Sequence, residues 1–233
     1  MSYPDYGIYL YGSSARGDSG RESDMDVLVV LKNGKASDVT PRSLQKKHGL
    51  SNTCADWSLY SLGRLQKMYR AGHLFAWHLF KEARFLAHGA DFLASFDAPA
   101  PYGTFHDDVR SLLALLDEAE HELADSSENI TFEAGLVYLS ARNIAMSASY
   151  YSPNGLSFSS FAPFELGYSD NLFPVNKEFY QKLRSARLAG TRGFAAPMLR
   201  TDDVLETARK IRSWAEIEFQ RIGSESCYEA HVC

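Results

Sequence analysis

Two aspartates two residues apart, Asp24 and Asp26, follow a Gly12-Ser13 pair and an arginine, Arg16, within one segment, YLYGSSARGDSGRESDMDVLVVL, that runs from Tyr9 to Leu31. On a β-strand side chains alternate between faces, so these carboxylates leave the same face roughly 6.6 Å apart along the strand. Hard oxygen donors of this kind suit magnesium, and two such ions about 4 Å apart stabilise both the attacking and the leaving oxygen of an in-line displacement at phosphorus. Two carboxylates seldom hold two metals alone. A third is expected from a neighbouring strand, and Asp56 in TCADWSLY alternates with Cys54, Ser58 and Tyr60 against Ala55, Trp57 and Leu59, which puts it on the polar side.

Gly12 and Ser13 close the first apolar run. A glycine there lets the backbone turn tightly and leaves the amides at the start of a short helix to hold phosphate oxygens. Arg16 can add a bidentate contact, and Ser23, just before Asp24, completes the candidate nucleotide-binding set. An amide cradle one loop away from metal-binding carboxylates reads as a nucleoside triphosphate site. The expected cofactors are two Mg2+ ions, with ATP or another nucleoside triphosphate as donor substrate.

The elements that must position these groups are short. Residues 7–11, 25–31 and 53–60 are β-branched or aromatic-rich runs bounded by turn formers and are expected to be strands. Ser61 can cap a helix to about Arg70; Gly72 breaks it, helical spacing resumes over 73–81, and a short strand follows near 84–87. The segment from Asp97 to Gly103, DAPAPYG, has the composition of a semi-rigid connection. Beyond it, leucines 112, 113, 115, 116 and 123, then the runs 131–151, 177–188 and 202–221, are spaced as helices. The fold class is α+β: an α/β domain with a small mixed sheet over 1–96, a helical bundle over 104–222, and a mobile tail over 223–233 without periodicity.

The spacing also resembles a known family. Gly12-Ser13, ten intervening residues and Asp24-x-Asp26 with apolar flanks are similar to the signature of the DNA polymerase beta-like nucleotidyltransferases, and GSSARGDSGRESDMD is close to the bacterial minimal and aminoglycoside nucleotidyltransferase version. The resemblance covers about residues 7–90, with Asp56 at a position similar to the family's third carboxylate. It implies metal-dependent transfer of a nucleoside monophosphate with release of pyrophosphate. The segments ITFEAGLVYLSARNIAMSASYY and GLSFSSFAPFEL resemble the HEPN helical domains that accompany such enzymes. The ribonuclease members of that group need an arginine and a histidine about a helical turn apart, which nothing after residue 103 supplies; Arg42 and His48 have similar spacing but fall in an expected loop.

Residues 106–133 carry nine acidic side chains against the single Arg110. That excess could attract a polycationic acceptor, although a solvated helix face is the plainer reading. Glu133 stands apart, because it sits in the first turn of a helix that continues into an apolar run. The resemblance makes it a candidate general base, and neither it nor Glu165 has a motif that secures the role; Asp56, working through the metal, ranks above it. The aromatics Tyr150, Tyr151, Phe158, Phe161, Phe164 and Tyr168 are expected to pack between helices rather than stack on a base.

At 233 residues with a formal charge of -5, the chain can bury a substantial core but lacks the basic excess of a protein that lives on nucleic-acid backbones. Its three cysteines, Cys54, Cys227 and Cys233, make neither a metal knuckle nor a disulfide framework, and no apolar run is long enough to cross a bilayer. A cytoplasmic setting without membrane contact is expected. The acceptor hydroxyl is expected on an aminoglycoside-type small molecule, in keeping with antibiotic resistance. The alternatives are a protein tyrosine or an RNA end, as in toxin and antitoxin systems, or a non-catalytic nucleotide-binding module that dimerises through its helices. A homodimer stays open.

Overall fold

Strands β1 (Tyr6–Tyr11), β2 (Met25–Leu31), β3 (Ala55–Ser61) and β4 (Arg84–Gly89) form one mixed sheet in the order β3-β2-β1-β4. β1 is antiparallel to β2 and β4, and β2 is parallel to β3. The structure, a computed structural model, describes residues 5–17, 25–32, 40–48 and 55–229. Helices α1 (Gly12–Arg16), α2 (Pro41–His48), α3 (Leu62–Arg70) and α4 (Leu74–Glu82) accompany the sheet.

β2 is apolar on both faces, the pattern of a strand covered on both sides. Val27, Val29 and Leu31 pack with Tyr6, Ile8 and Leu44 of α2 on one face, while Leu28 and Val30 pack with Tyr9, Tyr11, Leu65 of α3 and Leu79 of α4 on the other. The side of β3 that carries Asp56, Ser58 and Tyr60 is this second face. It is polar only at its end, since Tyr60 joins the apolar cluster. Ser61 caps α3 by accepting from the Arg64 amide at 3.2 Å, and His73 Nδ1 accepts from the Phe75 amide at 3.1 Å at the start of α4.

The segment around Arg42, expected as a loop, contains α2. Its start was written in Thr40-Pro41-x-Ser43: the proline needs no amide partner in the first turn, and Thr40 and Ser43 cap each other's amides, at 3.0 and 3.1 Å. With a serine where a capping box has glutamate, the signal is easily passed over.

The chain divides into two compact units, Met1–Gly103 and Thr104–Cys233. The second is helical: α5 (Phe105–Asp125), α6 (Ile130–Ser149), α7 (Lys177–Arg192) and α8 (Thr201–Glu229). Helix α6 packs against α5, α7 and α8 and buries residues around most of its circumference, as its nearly all-apolar run requires. Helix α5 buries Phe105, Val109, Leu116, Ala119 and Leu123, a single stripe, and leaves its acidic face outward. Two of those acids, Asp117 and Glu120, pair with Arg212 of α8. Of the aromatics expected to pack between helices, Phe164 lies against Tyr180 at 5.2 Å and Tyr151 against Phe105 at 5.5 Å. Helix α8 runs to Glu229, past the point where its apolar period ends, because backbone hydrogen bonding does not need a buried stripe to continue. Residues 230–233 of the expected tail lie outside the described residues. Among the described residues no helix is long and apolar enough to cross a membrane.

The α+β class expected from the sequence is therefore the class of the fold, a small mixed sheet with helices followed by a helical bundle.

Candidate functional site

The end of β1 meets the beginnings of β2 and β3, and strand register lines up three residues there. Tyr11 is the partner of Asp26, and Asp26 is the partner of Asp56. Adjacent strands lie about 4.8 Å apart and residues in register point to one face, so the two carboxylates stand side by side on the face that α3 and α4 cover further along. Asp26 is half-buried and Asp56 exposed. Ser23 and Asp24, the other expected members of this group, lie outside the described residues.

Gly12 directly follows the row and has φ +68°, in the left-handed region. A side chain is strained there, and the space is already used: an added Cβ would lie 2.3 Å from Asp26 Oδ2. The Asp26 carboxylate therefore lies against the bare glycine backbone at the start of α1. The first turn of α1 receives no hydrogen bond from the side chain of its N-cap residue, Tyr11, and Gly17 closes the helix in a left-handed conformation, its amide 3.0 Å from the Ser13 carbonyl. Ser13 sits in that first turn, next to Gly12.

A magnesium ion needs oxygen donors that converge without bulk around them, and these residues fit: two carboxylates in register, with no Cβ at the adjoining turn. Among the described residues they are a pair, and no cluster of three candidate ligands forms.

Tyr11 of the row and three neighbours, Ser58, His78 and Glu82, were not singled out from the sequence. The Tyr11 hydroxyl lies 3.3 Å from Ser58 Oγ. Burial pushes the Tyr11 phenol up, the Ser58 contact works against that, and the nearby Asp26 and Asp56 charges raise it further. Arg16, expected to hold phosphate, donates from Nη1 to Glu82 Oε2 at 2.7 Å, and His78 Nε2 lies 3.0 Å from the same oxygen. The Tyr11 and His78 rings meet edge to face at 5.4 Å. His78 and Glu82 are four apart on α4, a spacing that can be read as a pair. Their convergence on Arg16 and Tyr11 could not be read, because nothing local links residue 82 to residue 16.

Glu133 belongs to the second unit. It is 5% exposed in the first turn of α6, and burial first, then the charges of Glu122 and Glu118, push its carboxyl above the usual range.

Residues 1–109 match the family model for a nucleotidyltransferase domain. Over that stretch the chain is similar to a nucleotidyltransferase domain. The matched stretch contains the Gly12-Ser13 turn and the pairing of Asp26 with Asp56. The solved structure of a spectinomycin adenyltransferase, AAD(9) from Enterococcus faecialis, with ATP and spectinomycin, aligns over 90% of this chain and 91% of that chain at 13% identity with a TM-score of 0.48; a likeness of that size bears on no ligand. No curated protein matches the chain significantly.

Proposed function

We propose that the chain transfers a nucleoside monophosphate, AMP from ATP, to a hydroxyl of a small cationic acceptor of aminoglycoside type, with release of pyrophosphate. The observation that carries the reading is the register pairing of Asp26 with Asp56 beside the side-chain-free Gly12 turn, within the stretch similar to a nucleotidyltransferase domain.

In this reading Asp24, Asp26 and Asp56 would hold Mg2+, which would supply neutralisation of phosphate charge. The amides after Gly12, with Ser13 and Ser23, cradle the phosphates, and Arg16 fixes their orientation. The acceptor oxygen forms a bond to the α-phosphorus, the bond from that phosphorus to the bridging oxygen breaks, and the electron pair leaves with pyrophosphate. The hydroxyl proton passes to a carboxylate, for which Asp56 ranks first because it stands in the same row as Asp26. The acidic net charge and the close grouping of Glu118, Glu122 and Glu133 favour a cationic acceptor.

Glu133 is the rival base, and its variant separates the roles. Glu133→Gln is expected to keep transfer within about tenfold of wild type, whereas loss of a general base costs roughly 10²- to 10⁴-fold. Its stability has a definite sign. A raised folded pKa means that the native state binds more protons than the unfolded chain between the ordinary carboxylate value and the folded one, so stability falls as pH rises through that window. Glu133→Gln should flatten this slope and melt no lower than wild type at neutral pH. Thermal melts from pH 4 to 8 check it, and an unchanged slope would count against the burial of the charge.

Mass spectrometry of acceptors tests the reading as a whole. Aminoglycosides, a tyrosine-bearing peptide and a short RNA are each incubated with the protein, ATP and Mg2+. An adenylyl mass increment on the aminoglycoside is expected; an increment only on peptide or RNA would replace the acceptor class, and none on any acceptor would favour a non-catalytic module.

A further inference from the structure

Among the described residues of the first unit, the Glu82 carboxylate is the best-buried charged group that the transfer chemistry does not use. Its side chain is 4% exposed, that of Arg16 24% and that of His78 14%. One oxygen, Oε2, accepts from Arg16 Nη1 at 2.7 Å and lies 3.0 Å from His78 Nε2. Burial alone would raise the Glu82 pKa, but the His78 hydrogen bond and the charges of His78 and Arg16 outweigh it, and the carboxyl is held below the usual range. An ionised carboxylate only accepts, so His78 carries a proton on Nε2. The pair is built from α4 and reaches the last residue of α1, the short helix that opens at Gly12.

We propose that Glu82, braced by His78, is a positioning residue for nucleotide binding: it holds the Arg16 guanidinium ordered at the end of the Gly12-Ser13 turn, where it is presented to the triphosphate. This rests on the nucleotide reading above.

Two effects of Glu82 oppose each other. Its negative charge lowers the local attraction for phosphate. Against that, an arginine loses about 2 kcal/mol of rotamer freedom when fixed, and a guanidinium has five donors in a rigid fork, so it can bind more than one anion at once. Two features decide for positioning. The Glu82 charge is balanced by a ring N–H and a guanidinium at hydrogen-bond distance, which shortens its reach, and the ordering cost of Arg16 is met on folding rather than on binding.

The test is a double-mutant cycle read by calorimetric titration of the full chain with Mg2+ and ATP, with a melting curve for every variant. Arg16→Ala is expected to weaken binding roughly 10- to 100-fold, as for a charged hydrogen bond. Glu82→Gln in the wild-type background should weaken it roughly 5- to 10-fold, and in the Arg16→Ala background should change it less than about twofold. A purely structural glutamate would lower the melting temperature in both backgrounds without an Arg16-dependent change in affinity, and that pattern overturns the proposal. Tighter binding by Glu82→Gln would make Glu82 a competitor of phosphate and overturn it as well. If Glu82→Gln does not fold, His78→Gln is run in the same cycle and should show the same dependence on Arg16 at smaller size; additive effects there overturn the proposal. A wild-type chain that binds no ATP with Mg2+ would remove the nucleotide reading itself, which is distinct from a binding wild type with an indifferent Glu82→Gln.

Discussion

Asp26→Asn is expected to reduce nucleotidyl transfer on the order of 10³-fold while the protein keeps its fold. The substitution preserves shape and removes one negative charge from the centre of the Tyr11–Asp26–Asp56 row. Metal-borne charge stabilisation is worth several kcal/mol, and each 1.36 kcal/mol is a factor of ten in rate. Asp26 is half-buried at the beginning of β2, and the buried core of that strand begins only at Val27, so the circular dichroism spectrum should stay unchanged. Rates under saturating ATP and Mg2+ check the first claim, and melting curves check the second. Asp56→Asn should behave alike, with part of its loss arising from the proton it no longer accepts. Near-normal turnover by either variant would remove the carboxylate row from the chemistry.

Gly12→Ala should damage transfer by adding a single carbon beside Asp26. Two costs act together. Alanine at φ +68° is strained by about 1–2 kcal/mol, and its Cβ would lie 2.3 Å from Asp26 Oδ2, far inside contact distance, so either the turn or the carboxylate must move. A shift of about 1 Å in a positioned group can cost 10²-fold in rate. The variant should therefore lose roughly 10²-fold or more in transfer together with about 1–2 kcal/mol of stability, read by kinetics and denaturant melts. Gly17→Ala is the control. Its φ is +82°, yet among the described residues no atom lies within 4 Å of the added Cβ, so it should lose stability by a similar amount and keep most of its activity. Equal activity loss at both positions would mean that backbone strain, and not the crowding of Asp26, is responsible.

Much of the N-terminal site could be read along the chain because its logic is local. Alternation puts Asp56, Ser58 and Tyr60 on one side of β3 whatever the strand pairs with, and Gly12 before Ser13 marks a turn. The pairing of Asp26 with Asp56 depends on parallel register between β2 and β3, which alternation alone cannot set. The Glu82–Arg16 contact was illegible for a different reason: it joins α4 to α1 across a long stretch of chain, and a glutamate at the end of a helix looks the same whether it faces water or an arginine. Tyr11 was read as a strand residue and no more, since its closeness to two carboxylates follows from the register of three strands. In the second unit the apolar periods located the helices, but the burial of Glu133 was hidden. A first-turn acid is ordinarily solvated, and here it is enclosed because α6 packs against neighbours around most of its circumference.

The most direct measurement is to follow two labels at once, ATP carrying one isotope at the α-phosphorus and another at the γ-phosphorus, incubated with wild type and with Asp26→Asn in Mg2+ and an aminoglycoside acceptor. The expected result is that wild type moves the α-label to the acceptor and releases the γ-label as pyrophosphate, that chelating the metal stops both, and that Asp26→Asn does neither at a measurable rate. A γ-label on the acceptor or released as inorganic phosphate, or α-label transfer that survives in Asp26→Asn, would contradict it.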